Sequence, residues 1–166
     1  MLVAIISDIH DNLANLDKCL IWCKAQKIKK IVCCGDVCNL ETLKFLSTNF
    51  SGEIFLVSGN GDIFTESDLC DLKNINYFQE IGIVKIAGLI LGLCHQDREI
   101  EATIKKSGKK PDFIFYGHSH KPWLEKKDGI FTVNPGNLAG TFYQATFATL
   151  NTTDKNLKLK IINDLI

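Results

Sequence analysis

Arginine is almost missing from this 166-residue chain: Arg98 is the only one among nineteen basic residues. A phosphate clamp built from several guanidinium forks is therefore excluded. Net charge is missing too, because nineteen Lys plus Arg are matched by nineteen Asp plus Glu. No whole-chain field selects nucleic acid or an anionic membrane, so any specificity has to come from local sites. Apolar runs stay well short of the roughly 20 residues that a membrane-spanning helix needs. Internal repeats, low-complexity tracts and linkers are also absent. With 46% hydrophobic and 23% charged residues, the chain is predicted to form one α/β domain over residues 1–166 with a real core.

Cysteine is plentiful but lacks the spacing of a framework. The seven, at positions 19, 23, 33, 34, 38, 70 and 94, are odd in number and contain no C-x-x-C pair. The paired short loops of a structural zinc site are therefore missing, and the cysteines read as small apolar side chains in a reducing cytoplasm. The N-terminal stretch agrees, since residues 1–6 run on to Asp8 with no basic segment and no cleavage-like pattern of small residues.

Residues 2–7 form a short apolar run ending at Asp8 and read as a strand buried on both faces. Asn12 is placed to cap a helix whose apolar face carries Leu13, Leu16, Leu20 and Cys23. A second strand over 28–34 ends at Gly35-Asp36, and a helix over 40–46 leads to a third strand, 54–58, ending at Gly59-Asn60. This alternation predicts parallel pairing with right-handed crossovers. Asp8, Asp36 and Asn60 then share the carboxyl edge, where open α/β sheets bind ligands. Further strand-like runs cover 81–87 and 89–94, followed by a polar helical stretch over 98–107 and a buried strand over 113–116 ending at Gly117-His118. Runs at 123–125, 130–133, 142–150 and 157–162 predict a meander, with turns at Asp128-Gly129 and Pro135-Gly136. Two facing sheets are the economical architecture. The Lys105-Lys106 and Lys109-Lys110 cluster reads as a solvated face.

Five short segments concentrate metal-binding side chains: Asp8-Ile9-His10, Gly35-Asp36, Gly59-Asn60-Gly61-Asp62, His95 and Gly117-His118-Ser119-His120. All four histidines of the chain lie in this set, each at or just past the end of an apolar run. Neutral imidazole with carboxylate suits Mn, Fe, Zn or Ni, whereas an all-oxygen set would suit Mg or Ca. Asp8, His10, Asp36, Asn60, His95, His118 and His120 are too many ligands for one ion and suit two. A bridging Asp holds such ions about 3.5–4 Å apart, the arrangement used for hydrolysis at phosphorus.

The order D-x-H, G-D, G-N-x-D, a lone H and then G-H-x-H resembles the calcineurin-like metallophosphoesterase family, and within it the small one-domain prokaryotic phosphodiesterases of the YfcE type. The resemblance runs over the whole chain. It implies a four-layer αββα sandwich of two mixed sheets and a phosphodiesterase in which a hydroxide bridging two divalent ions attacks the ester. Manganese is the favoured metal, with Ni, Fe or Zn as alternatives. Asp8, His10, Asp36 and His120 are implied for one ion, and Asp36, Asn60, His95 and His118 for the other, with Asp36 bridging. Asp36, Asn60 and His95 are the implied catalytic set, and Asn60 is placed to touch the phosphate. Arg98, three residues after His95, is the one candidate for bidentate recognition of the substrate, or else a surface helix residue paired with Glu101 or another acid. The implied partners are a small phosphodiester and a second copy or more of the chain, as a dimer or tetramer; no membrane and no nucleic acid are expected.

Three departures stand out. Gly61 occupies the position where larger members carry a His that helps the leaving group, and where this subgroup usually has Cys, so esters with poor alkoxide leaving groups are expected to react slowly. Gln96 follows His95 where Gly is common and is expected to enter the loop beside the metal. Asp11 follows His10 in place of Gly; it either adds a carboxylate close to the site or, the favoured reading, caps the first helix. Asn134-Pro135-Gly136 matches a late family turn that a purely structural role explains as well. Two other functions stay open: a non-catalytic interaction scaffold of the same fold, against which the complete ligand set speaks, and a phosphomonoesterase, against which Gly61 speaks.

Overall fold

The structure is a computed structural model and describes residues 1–165. The first half alternates strand and helix: β1 (Leu2–Ile6), α1 (Leu13–Ala25), β2 (Lys30–Cys33), α2 (Leu40–Asn49), β3 (Glu53–Leu56) and β4 (Ile75–Tyr77). The second half contains β5 (Gly82–Ile86), β6 (Leu89–Leu93), a 3-10 turn at Asp97–Glu99, α3 (Ile100–Lys106), β7 (Phe113–Phe115), β8 (Trp123–Lys127), β9 (Ile130–Asn134), β10 (Thr146–Asn151) and β11 (Asn156–Ile161).

These strands form two mixed sheets. One has the order β11-β10-β1-β2-β3-β4, and the other β5-β6-β7-β9-β8. β1 to β4 are parallel to one another, as are β6, β7 and β9. Side chains that alternate along β1 serve two cores. Ala4 and Ile6 pack on the helix side with Leu16, Cys19, Leu43 and Leu46, while Val3 and Ile5 pack between the sheets with Leu91, Phe113 and Phe115. Ile100 and Ile104 of α3 cover the outer face of the second sheet, completing four layers, α/β/β/α. Five of the seven cysteines, Cys19, Cys23, Cys33, Cys34 and Cys94, are buried in these layers, as expected for small apolar side chains.

Several expectations need correction. Leu13 is 42% exposed, and Cys19 takes its place on the buried face of α1. β4 was not visible in the sequence, since it is three residues long with a polar centre and is held by pairing with β3. The last four strands are not a meander: β8 and β9 finish the second sheet, whereas β10 crosses to pair antiparallel with β1. Residues 142–145 precede β10 as an irregular loop.

Asp11 is the remaining correction. Asn12 caps α1, with its Oδ1 accepting from the Asn15 N–H at 3.1 Å. The Asp11 carboxylate reaches across to the start of α2 instead, accepting from the Asn39 N–H at 3.0 Å, the Thr42 hydroxyl at 2.6 Å and the Asn39 side-chain amide. It satisfies orphan donors of the second helix, not the first.

Candidate metal centre

Three parallel strands of the first sheet and two of the second end on the same rim. Asp8 follows β1, Asp36 follows β2, Asn60 follows β3, His95 follows β6, and His118 and His120 follow β7. The loops stack closely. The Ile9 and His10 N–H groups both donate to the Asp36 carbonyl, at 2.9 and 3.0 Å, and the Gly117 N–H donates to the His95 carbonyl at 2.9 Å. Gly59 lies so close to the Asp36 main chain that a Cβ there would collide with the Asp36 nitrogen, and one at Gly117 would strike the side chains of Ser7 and Asp8. The glycines that precede the ligand-type residues are therefore required by loop contact.

Five of the seven candidate ligands sit in the left-handed region of φ: Asp8 at 53°, His10 at 43°, Asp36 at 52°, His118 at 65° and His120 at 58°. Non-glycine residues rarely adopt it, and such strain collects at functional sites.

Two subclusters result. In one, His10 Nε2 lies 3.1 Å from His120 Nε2, and Asp8 Oδ1 lies 3.9 Å from the first and 3.3 Å from the second. In the other, His95 Nε2 lies 3.4 Å from Asp36 Oδ2 and 3.0 Å from Asn60 Oδ1. Asp36 Oδ2 is also 3.5 Å from His10 Nε2, and Asp8 belongs to the acidic centre of both groups. Asp8 and Asp36 thus lie together at the junction. His118 stands at the rim: it is exposed, its ring centroid is 5.2 Å from that of His95, and its main-chain N–H donates to both Asp8 oxygens at 3.1 Å.

The donor chemistry fits a divalent cation. His95 Nδ1 is 2.7 Å from the Cys34 carbonyl, which can only accept, so the proton sits on Nδ1 and the Nε2 lone pair faces Asp36. The two Nε2 atoms of His10 and His120 hold at most one proton between them. His120 Nδ1 is buried with no hydrogen-bond partner among the described residues. Lone pairs and carboxylates converge without enough protons to separate them, and a cation with nitrogen and oxygen affinity supplies what is missing.

The titration behaviour follows from the same crowding. Burial drives the Asp8 carboxyl up from 3.8 to about 6, against hydrogen bonding from Ser7 and the field of His95. Burial also opposes ionisation of Asp36, but the His95 ring and the Gly61 N–H, at 2.7 Å, outweigh it and hold Asp36 below its ordinary value. His95 is held above its ordinary value: burial disfavours its charge, but the bond that Nε2 makes with Asp36 once it is protonated prevails.

Supporting residues complete the site. Asp62 receives the Cys38 N–H and the Gly59 N–H, each at 2.7 Å, and so ties two ligand loops together. Cys38 places its sulfur 3.4 Å from His10 Nδ1, and a Cβ at Gly61 would lie 3.3 Å from that sulfur. Neither role was read from the sequence, because each depends on loops about 25 residues apart meeting in space. Gln96 does not line the ligand cluster as expected. Its side chain caps the 3-10 turn after His95, where Glu99 also accepts the His95 and Gln96 N–H groups. Asn134 braces the histidine loop by donating to the Gly117 carbonyl at 2.7 Å and to Ser119 Oγ at 3.0 Å, which gives the N-P-G turn a structural role. Arg98 is exposed and makes no ion pair among the described residues, with Glu101 or with another acid.

The calcineurin-like phosphoesterase superfamily domain matches residues 1–155. The chain belongs to this superfamily. A phosphodiesterase of Methanocaldococcus jannaschii is 28% identical over 163 residues, covering 95% of each chain. A solved structure described as a novel archaeal phosphodiesterase superimposes with a TM-score of 0.85 at 23% identity, covering 97% of this chain and 99% of its own. The E. coli phosphoesterase YfcE gives 0.70 at 22% identity (98% of this chain, 100% of its own). Vps29 of Cryptosporidium parvum gives 0.69 at 22% identity, covering 96% of each chain. The fold is common to all of these, so what the chain does has to be argued from its site.

Proposed function

We propose that the chain is a metal-dependent phosphodiesterase whose ligand groups are Asp8, His10, Asp36 and His120 for one ion and Asp36, Asn60, His95 and His118 for a second, with manganese preferred. The observation that carries this reading is the convergence of these side chains from five strand ends, with their lone pairs facing one another. Divalent ions held there supply Lewis-acid polarisation of a phosphoryl oxygen and make water a nucleophile near neutral pH. The chain's own residues do the rest. The Gly61 N–H and the His95 ring keep Asp36 ionised, and the Cys34 carbonyl fixes the His95 tautomer. Asn60 lies exposed at the rim, where its amide meets a phosphate oxygen. Arg98, three residues past His95, offers the chain's one guanidinium to the same oxygens.

Gly61 brings no acid to the leaving group, and no lysine or arginine pairs with a donor of the cluster among the described residues. A monoester dianion needs more of both than a diester monoanion does, so the diester is the better substrate. Protein stripped with chelator and reloaded with Mn(II) should hydrolyse bis-p-nitrophenyl phosphate well above p-nitrophenyl phosphate. Asp36→Asn should lower that rate at least about a hundredfold while circular dichroism stays unchanged. A fully metal-loaded protein that turns over no diester would leave the scaffold reading in its place.

A further inference from the structure

One aromatic side chain stands apart at the mouth of the site. Phe142 is 90% exposed, and its backbone lies in the left-handed region at φ 64°, which a bulky residue rarely adopts. Tyr143 beside it is 46% exposed. Isolated apolar residues on a surface need no explanation. This one is held in place by the same groups that build the metal centre.

Asn137, fully buried, donates to the His120 carbonyl at 3.1 Å and accepts from the Gly140 and Thr141 N–H groups at 2.6 and 2.9 Å. The Ala139 N–H donates to the Asp8 carbonyl at 3.0 Å, and the Leu138 N–H to the Ser7 carbonyl at 3.1 Å. Asn12 and Asn15 donate to the Ala139 and Leu138 carbonyls at 2.9 and 2.8 Å. The loop that carries Phe142 is thus fastened to the main chain of Asp8 and of His120. The ring comes to 6.1 Å from the His120 ring, centroid to centroid, within the range of aromatic pairs. The fastening fixes where the loop stands, and the faces of the ring stay in solvent.

We propose that Phe142 is a stacking platform for a flat aromatic group on the phosphodiester, and that the substrate class is accordingly a diester bearing a nucleobase or a comparable heterocycle. This rests on the phosphodiesterase reading and narrows it. A phosphate held at the metal centre leaves one ester arm directed along the rim, and a ring there meets Phe142 face to face. Base-on-aromatic stacking tolerates any base, because every base has a π-face.

The test uses the Mn(II)-loaded protein and two diesters with methoxide as a poor leaving group: the methyl ester of thymidine 5′-phosphate and its counterpart lacking the base. Calorimetric titration should give about five- to tenfold tighter binding of the base-bearing diester. Phe142→Ala and Phe142→Leu should bring that ratio close to one without changing affinity for the abasic diester, and Phe142→Trp should keep it. A ratio near one in the unaltered protein, a ratio that survives Phe142→Ala, or an equal loss for both diesters each overturns the proposal. If bis-p-nitrophenyl phosphate is still hydrolysed in any of these cases, only the stacking inference fails; if it is not, the phosphodiesterase reading fails first.

Discussion

Asp8 shows how much a single side chain is asked to tolerate. It is fully buried beside a second carboxylate and two imidazoles, and burial is what raises its carboxyl to about 6. In metal-free protein this has a definite sign. Between the unfolded value of 3.8 and about 6, the native state binds more protons than the unfolded chain, so stability falls as pH rises through that window. His95, raised in the native state, works the same way: its contribution is full below its unfolded value and is lost as pH rises through the folded one. Asp36, lowered, gives a contribution that is present above its unfolded value and lost only in stronger acid. Chelator-treated protein should therefore melt at a higher temperature at pH 5 than at pH 8, with Asp8 accounting for about 1.4 kcal/mol of the difference. Asp8→Asn should remove the Asp8 share of that slope in differential scanning calorimetry and leave the His95 share, and a flat or rising profile in the unaltered protein would contradict the assignment.

At the scale of elements, loops are held to one another more by side chains than by sequence neighbourhood. Asp11 belongs to the loop after β1 but caps α2, so removing it should weaken a helix that starts 29 residues later. Asp11→Ala is expected to cost about 1–2 kcal/mol in urea denaturation, whereas a substitution at the exposed Asp17 of α1 should cost almost nothing. The same distinction explains what could be read beforehand. Asp8, Asp36, Asn60, His95, His118 and His120 stood out because each closes an apolar run, and an apolar run followed by Gly-Asp or Gly-His is a local pattern. Cys38 against His10, Asp62 across two loops and Asn137 under the aromatic loop are contacts between distant segments, for which no local pattern exists. β4 was invisible for a related reason: its three residues are too few to establish an alternation, and they depend on β3 for their partners.

Across the whole molecule, the candidate ligands join the two sheets at one rim. Asp8, Asp36 and Asn60 come from one sheet, and His95, His118 and His120 from the other. A cation bound between them ties the halves of the sandwich together and stabilises by mass action. Mn(II) at about a hundred times its dissociation constant should add about 2.7 kcal/mol, or roughly 5–10 °C in Tm for a chain of this size. The shift should be largely lost in Asp36→Asn, and a Tm indifferent to metal would show that the donors do not act as one site. The order of the strands adds to this, since β1 lies between β2 and the late-arriving β10, so the rim is complete only when both ends of the chain are in place. The left-handed backbone at Asp8, His10, Asp36, His118 and His120 has a further consequence, for how the chain can change over generations. Glycine would relax the backbone at each of these positions by about 1–2 kcal/mol, a gain set against the hydrogen bonds that Asp8 and Asp36 accept from the His118 and Gly61 N–H groups. Exchange for glycine is therefore expected to cost least at His10, His118 and His120, the positions that a chain with no use for a metal could surrender first.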